Sequence, residues 1–478
     1  MSAAAGPAIA VCLTVAAGAF GAVYLLGHPL AIVPLAVLPL VFAVAVRSLD
    51  RPFDLCLLFV IFSFFRIHEV FPVLYPFRIP IMLALATFAA LGWNMFLKRS
   101  VTPYWSTDLI VFLIFFAHIT VGIAFATDAP TALGYWTGTY YKIAVMTLAI
   151  AWLAREPGDF ARLIHGIILA GICVAAVALW NKANGIGLVE GTRVTIGRNI
   201  RSALGDPNDL SLVLLFPMAF GVALFMTRGV GAAQKTLGLI AVLMIAAAVI
   251  ATQSRGGLLG MLAVWGVVAN RYVKNKSILV VGGLLAAVAL AAMMGLSNRQ
   301  SGGAHEDGLD ESAEGRIHAW MAAMRMALAN PIFGVGLDNF IPNYFFYTDV
   351  WRGTVHAVHS TWFVVIAEGG FPGIGLFVAM IVLMARSTIR AARLLEAADA
   401  PAPARTLALA MLAGLAGFCV SGTFLTQGFT WPIYIKLGIV VALDRYANSH
   451  ARETHTPSQD ANRKPLQFAN MRHTPRPF

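Results

Sequence analysis

The chain has little charge and little cysteine, and each shortage excludes a class of protein. Asp, Glu, Lys and Arg make up only 12% of its 478 residues, whereas an ordinary soluble domain has about 25%. The 4 cysteines lie inside apolar runs, which is typical of small buried hydrophobes and not of disulfides or metal ligands. The sequence has no P-loop and no dinucleotide fingerprint, so we expect no nucleotide hydrolysis within this chain.

Long apolar runs fill most of the sequence. The chain is 59% hydrophobic, its mean hydropathy is +0.76, and most runs have the roughly 17–25 residues needed to cross a bilayer. The alternating ten-residue strands of a membrane barrel are not visible. We therefore predict an all-α, polytopic transmembrane helix bundle of about 12–14 spans over residues 1–446. The candidate spans are 8–26, 29–46, 53–71, 79–97, 108–127, 133–154, 160–180, 209–227, 236–253, 256–272, 277–295, 359–385, 405–425 and 430–446.

The distribution of Lys and Arg predicts the orientation of this bundle. Alternate connections carry basic residues, and the opposite set is nearly free of them in the first half of the chain. Because basic residues favour the cytoplasmic side, the pattern places both termini in the cytoplasm. The net charge of +11 then reflects topology and lipid headgroups and not nucleic acid. Residues 447–478 are polar and predict a disordered cytoplasmic tail.

Three outer segments break the pattern because they carry arginine on the translocated side. Such charge works against the orientation signal and therefore indicates another use. Clustered guanidinium groups suit a diphosphate, since each can donate two hydrogen bonds and stays charged. The segments are the stretch with Lys182, Arg193, Arg198 and Arg201, the turn around Arg255, and the long connection 296–358 with Arg299, Arg316, Arg325 and Arg352.

The long connection at 296–358 should contain an amphipathic helix. From Ser312 to Asn330, apolar residues recur at helical spacing, and Pro331 with the following glycines ends the pattern. Such a helix could cap the bundle, form a lid over an acceptor groove, or do both. Its apolar face consists of Ile317, Trp320, Met321, Met324 and Leu328.

Two arginine segments have a structural and a functional interpretation. Arg255 lies between two spans with glycines behind it, so it could extend to lipid headgroups or bind an anion close to the backbone. Arg198 and Arg201 precede Asn208 and Asp209. That run is typical of a turn and a helix N-cap, but its position also makes Asn208 a candidate ligand contact.

A histidine pair closes the long connection. His359 lies at the boundary between loop and membrane, where it could act as a general base, bind an acceptor hydroxyl, or simply cap the helix. His356 and His359 could also ligate a metal, but no third ligand lies at a usual spacing. Glu368 is an intramembrane carboxylate, which favours a functional role, although pairing with a neighbouring helix is an equal alternative. Near the third span, Arg66 and Glu69 predict an internal ion pair.

Three motifs together resemble the O-antigen ligase and polymerase superfamily of bacterial inner-membrane glycosyl-transfer enzymes. Gly205–Asp209 resembles a further segment upstream, and residues 66–72 are similar to the branch found in exopolysaccharide or exosortase-associated clusters. The order and spacing of these motifs span about residues 195–380. The three motifs are Thr252–Gly257, Gly315–Trp320 followed by Asn330–Gly336, and His356–Trp362 followed by Glu368–Gly373.

The resemblance implies inverting glycan transfer, independent of metal, nucleotide and cofactor, from undecaprenyl diphosphate at the periplasmic face. The acceptor would be lipid A–core, a protein or another glycan. Arg255, with Arg198 or Arg201, would bind the diphosphate and stabilise it as the leaving group, so Arg255 and His359 would be the catalytic residues. His359 would orient or deprotonate the acceptor hydroxyl, and Arg316 would support the loop or a phosphate. We take Asn208, His356, Trp320 and Glu368 as further substrate-binding candidates.

The alternatives are a repeat-unit polymerase of the same superfamily, a transporter for lipid-linked oligosaccharide, and a non-catalytic scaffold. The family's motifs serve both ligase and polymerase. A transporter predicts inverted repeats and a polar path across the bundle; neither is clear in this sequence, where basic residues concentrate at one face.

Overall fold

The computed structural model describes residues 51–200, 202–285, 313–349, 351, 353 and 355–455. The first two predicted spans, Arg201, the first part of the long connection and the end of the predicted tail lie outside these residues. The helices are α1 (Pro52–Phe64), α2 (Ile67–Val70), α3 (Ile79–Gly92), α4 (Thr107–Gly122), α5 (Ala129–Tyr135), α6 (Tyr141–Leu153), α7 (Pro157–Asn184), α8 (Pro207–Met226), α9 (Ala232–Thr252), α10 (Arg255–Tyr272), α11 (Lys276–Leu285), α12 (Ala313–Ala329), α13 (Phe340–Tyr347), α14 (Thr361–Ala397), α15 (Ala402–Ser421) and α16 (Trp431–His455).

Within these ranges, 7 helices are long and apolar enough to cross a membrane. They contain α3, α4, α7, α8, α9, α14 and α15, with α3, α4 and α15 extended by a further turn. These spans confirm the prediction of an all-α, polytopic membrane bundle.

Several predicted boundaries differ from the structure, among them the following three. The third span was predicted to run to residue 71, but α1 ends at Phe64 because the chain turns at Arg66, whose φ is 49°. The twelfth span continues far beyond 385, to Ala397. The last helix reaches His455, so the beginning of the predicted disordered tail at 447 is helical instead.

The second half of the long connection is hydrogen-bonded to α14 at a break around Gly370, and this contact is called the clasp. Gly370 has φ 68°, and the backbone N–H of Phe371 donates to the Pro331 carbonyl at 2.9 Å. A Cβ on Gly370 would lie only 2.6 Å from the carbonyl oxygens of Pro331 and Ile332. Only glycine allows both this conformation and this approach.

Glu368 completes this clasp. Its carboxylate is 5% exposed and accepts the backbone N–H groups of Asp338 at 2.9 Å and Phe340 at 3.1 Å. These groups lie at the start of α13, which leaves them without helical partners. The intramembrane carboxylate that the sequence singled out therefore binds protein backbone through both oxygens.

Helix α12 confirms the predicted amphipathic helix. The face that packs against the bundle, however, is not the one that carries its large apolar residues. The residues against the bundle are small: Ala319, Ala322 and Ala323 are fully buried. Small side chains let helices approach closely. The larger residues Ile317, Met321, Met324 and Leu328 are 37–64% exposed.

The clasp gives a stability prediction. Glu368→Ala should lower the unfolding temperature clearly, because the buried N–H of Phe340 and the partly buried N–H of Asp338 lose their acceptor, and a buried donor left without one costs about 1–3 kcal/mol. Glu396→Ala is the matched control on the same helix: its half-exposed carboxylate pairs with Arg271, and exposed pairs contribute about 0–1 kcal/mol. Thermal unfolding of both variants in the same detergent is the measurement. Equal effects would contradict the clasp.

Candidate active site

Three helices begin at one end of the bundle and are held together there. Asp206 caps α8 by accepting the backbone N–H groups of Asn208 and Asp209, and Ser254 caps α10 by accepting that of Gly257. The first residue of α14, Thr361, donates its hydroxyl to the Leu425 carbonyl at 2.7 Å. Helix N-termini carry partial positive charge, so this end of the bundle favours anions.

Arg255 is the first residue of α10 and points away from its own packing face. A Cβ on Gly256 would lie 3.1 Å from Phe424, and one on Gly257 would lie 2.4 Å from the Ser211 hydroxyl. These glycines therefore serve helix packing, where the sequence suggested close approach of a ligand. Arg255 itself is exposed and makes no ion pair with the described residues.

His359 is held in an unusual backbone conformation immediately before α14. Its φ is 41°, a left-handed value that costs a non-glycine residue about 1–2 kcal/mol. The preceding carbonyl, that of Val358, accepts the Trp320 indole N–H at 2.9 Å, and the Trp320 ring stacks on Phe363 at 5.2 Å. Trp320 thus connects the histidine loop to α12.

The surroundings of His359 favour its neutral form. Burial of the imidazole, which is the largest cause, together with the charge of Arg316 and the neighbouring His356, lowers the pKa of His359 to about 4, while Asp206 opposes this shift. Above pH 4 the neutral ring therefore predominates, and one ring nitrogen can accept a proton or a hydrogen bond. The charges of Arg316, on α12, and of Asp206, at the N-cap of α8, therefore act on the same imidazole.

In the segment before α8, Arg193 binds other parts of the bundle, whereas Arg198 lies near the site. Arg193 is buried and donates to the Asn208 side-chain oxygen at 3.0 Å and to the Thr252 carbonyl at 3.3 Å, so it joins the ends of α8 and α9. Arg198 is half-buried, and a Cβ on Gly205 would lie 3.1 Å from its Cα. Arg198 therefore lies beside the turn that leads into Asp206.

Arg66 and Glu69 form the predicted ion pair, with 2.7 Å between Arg66 Nε and Glu69 Oε2. The same oxygen accepts the Ser202 hydroxyl at 2.6 Å, which ties this pair to the arginine segment. Arg66 also lines a cavity of about 360 Å³ together with Asp209 and Gln427. The Gln427 amide donates to Asp209 at 2.8 Å, and its backbone N–H donates to Thr361 at 3.2 Å.

The sequence-predicted residues fall into two groups. The first group gathers at the helix N-termini: His359, Arg316, His356, Arg198 and Arg255. Although His356 belongs to it, this residue is 6% exposed and packs edge-on against Tyr344. The side chains of the second group hydrogen-bond to other parts of the protein. This group comprises Asn208, Trp320 and Glu368. Arg201 lies outside the described residues.

Two residues of the site were not among the sequence candidates. Asp206 was interpreted as part of a turn, and its proximity to His359 depends on how α8 and α14 pack. Gln427 lies in an apolar stretch near the last helix, without a motif. The sequence feature that could have identified Gln427 is its polar side chain at a predicted membrane boundary. Among the described residues, no group of three His, Cys, Asp or Glu side chains is arranged to hold a metal ion.

Residues 239–378 match the family model described as O-antigen ligase. This match covers Arg255, Arg316, His359 and the clasp, and it confirms the resemblance to the O-antigen ligase superfamily. It supports a membrane glycan-processing function of the ligase or polymerase type. No curated protein sequence gives a significant match.

The environment of His359 gives a pH prediction. An ordinary histidine is half protonated near pH 6.5, whereas His359 should stay neutral, and reactive toward diethyl pyrocarbonate, down to about pH 5 because its pKa is lowered to about 4. Arg316→Gln removes a neighbouring positive charge, so the pKa of His359 should rise. On acidification, the loss of reactivity should then begin at a higher pH than in the wild type. The measurement is mass spectrometry of the His359 peptide across a pH series.

Arg325→Gln is the matched control for this pH series. Arg325 lies on the same helix but pairs with Asp349 and donates to the Tyr347 carbonyl. Its loss should leave the pH dependence of the reactivity of His359 unchanged. An equal shift in both variants, or none in Arg316→Gln, would contradict the electrostatic account.

Proposed function

We propose that this protein transfers a glycan from undecaprenyl diphosphate to an acceptor hydroxyl during surface polysaccharide biosynthesis. The observation that carries the proposal is that His359, Asp206 and Arg255 lie at the adjoining starts of α14, α8 and α10, which are joined by Gln427 and by the contact of Ser211 with Gly257. The O-antigen ligase match covers two of these three residues. The site would face the periplasm from the bacterial inner membrane, with both chain termini in the cytoplasm, as the distribution of basic residues predicts.

The positive end of the bundle is suited to bind the diphosphate. Arg255 is exposed at the N-terminus of α10, so its guanidinium can donate to phosphate oxygens while the helix end adds partial positive charge. Arg198 is the candidate second contact, with Arg201 as its alternative. These fixed charges would stabilise the negative charge that grows on the leaving diphosphate.

His359 would act on the acceptor hydroxyl. The acceptor oxygen attacks the anomeric carbon and forms the new glycosidic bond. The bond from that carbon to the phosphate oxygen breaks, and undecaprenyl diphosphate leaves with the electron pair. The acceptor proton passes to the neutral His359 ring. A diphosphate bound nearby would raise the pKa of this ring towards neutrality, because negative charge favours the imidazolium.

The surroundings provide room for the rest of the substrates. The cavity beside Arg66, Asp209 and Gln427 presents charged and amide groups, which suit sugar hydroxyls. The exposed apolar face of α12 would contact lipid, as expected of an amphipathic helix at a membrane surface. The reaction would be inverting and independent of metal and nucleotide. The acceptor is lipid A–core or a protein for a ligase, and another repeat unit for a polymerase.

Reconstituted transfer tests this proposal. Purified protein with an undecaprenyl-diphosphate-linked oligosaccharide and an acceptor, in EDTA and without nucleotide, should release undecaprenyl diphosphate. His359→Ala should reduce the rate at least about a hundredfold, as loss of a general base does. Arg255→Gln should reduce it strongly, because the leaving group loses a positive contact. A discrete shift of the acceptor indicates a ligase, and a ladder from donor alone indicates a polymerase.

His450→Gln and Arg393→Gln are the matched controls. Both residues lie near the other ends of α16 and α14 and should leave transfer unchanged. If the folded wild type transfers to no acceptor, and His359→Ala still complements a deletion strain, a transporter or scaffold becomes the better account.

A further inference from the structure

A second, larger cavity lies at the opposite end of the bundle from His359. Its volume is about 600 Å³, and its walls come from the start of α4, the second half of α14 and the second half of α16. Arg386 is roughly 35–40 Å along α14 from Thr361, at about 1.5 Å per residue. The glycan-transfer proposal makes no use of this cavity.

Positive charge predominates in this cavity. Four arginines line it, against two aspartates. Arg390 is occupied, since its Nε and Nη2 donate to Asp444 at 3.0 and 2.7 Å. Asp108 accepts the Ser387 hydroxyl at 3.0 Å. Arg390 thus pairs with Asp444, and Asp108 binds Ser387 through one oxygen while its other oxygen has no hydrogen-bond partner among the described residues. Arginines still outnumber aspartates in the lining.

Two of those arginines are placed to receive an anion. Arg386 is exposed at the rim and makes no ion pair within the described ranges. Arg445 lies over the Tyr104 ring, with 5.5 Å from its Cζ to the ring centroid, and its Nη1 is buried without a hydrogen-bond partner among the described residues. A buried guanidinium nitrogen without an acceptor is costly, and a bound oxyanion would provide that acceptor.

The walls of the cavity are suited to a phosphate group at a membrane boundary. Trp105 lines the cavity and is 54% exposed, and tryptophan is enriched where headgroups meet hydrocarbon. Leu383 adds an apolar wall. The first turn of α4, capped by Ser106, adds partial positive charge. Arginine favours phosphate because it can donate two parallel hydrogen bonds to it.

We propose that this cavity is a binding site for a phosphate group, held by Arg445 and Arg386, at the end of the bundle opposite the transfer site. The phosphate belongs to an anionic phospholipid headgroup or to a soluble phosphate ester. This site is separate from the proposed transfer chemistry, so either proposal can fail without the other.

Calorimetric titration of the full-length protein in detergent tests the site with two probes, dihexanoyl phosphatidylglycerol and inorganic phosphate. Arg445→Gln and Arg386→Gln should each weaken binding about tenfold or more. Arg386→Gln removes an exposed side chain and so should not disturb folding. Binding of the lipid alone assigns the site to headgroups, and comparable binding of inorganic phosphate assigns it to soluble esters.

Two control variants locate the binding. Arg393→Gln removes an exposed arginine from the same part of α14 that does not line the cavity, and it should leave affinity unchanged. Arg255→Gln removes phosphate binding at the proposed transfer site, and the affinity that depends on Arg445 and Arg386 should persist in it. Absence of binding by both probes, equal weakening in Arg393→Gln, or loss of the signal in Arg255→Gln alone would overturn the proposal.

Discussion

The clasp between the long connection and the break in α14 is the constraint on which the site depends. Glu368 binds the backbone at Asp338 and Phe340, and Gly370 lets the Pro331 turn approach α14 closely. Together they fix α13 and the end of α12 against the bundle. Trp320 then reaches from α12 to the Val358 carbonyl, which holds the histidine loop beside Arg316.

Much of the architecture could be predicted because hydrocarbon thickness sets span length and the apolar runs have that length. The motif residues Arg255, Arg316 and His359 could also be identified from the sequence, because the two arginines lie on the predicted translocated side and His359 lies at a predicted membrane boundary. The clasp was not predictable in the same way. Glu368 has the same sequence signature whether it binds substrate or backbone, and only the packing of α13 on α14 decides between them.

Two further interpretations of the sequence changed for similar physical reasons. Helical periodicity identified the apolar face of α12, but it cannot tell whether that face meets protein or lipid. In this bundle the alanines meet protein, and Ile317 and Leu328 are exposed. The glycines after Arg255 suggested room for a ligand, whereas Ser211 and Phe424 fill that room. The geometry leaves the Arg255 side chain, and not the glycine backbone, as the exposed group.

The most direct measurement of the central claim is an experimental structure of the protein with undecaprenyl diphosphate bound. The account predicts diphosphate density at the start of α10, with Arg255 within hydrogen-bond distance of about 3 Å and the His359 ring facing the adjoining space. Diphosphate density away from the N-termini of α8, α10 and α14, with Arg255 making no contact to it, would contradict the account.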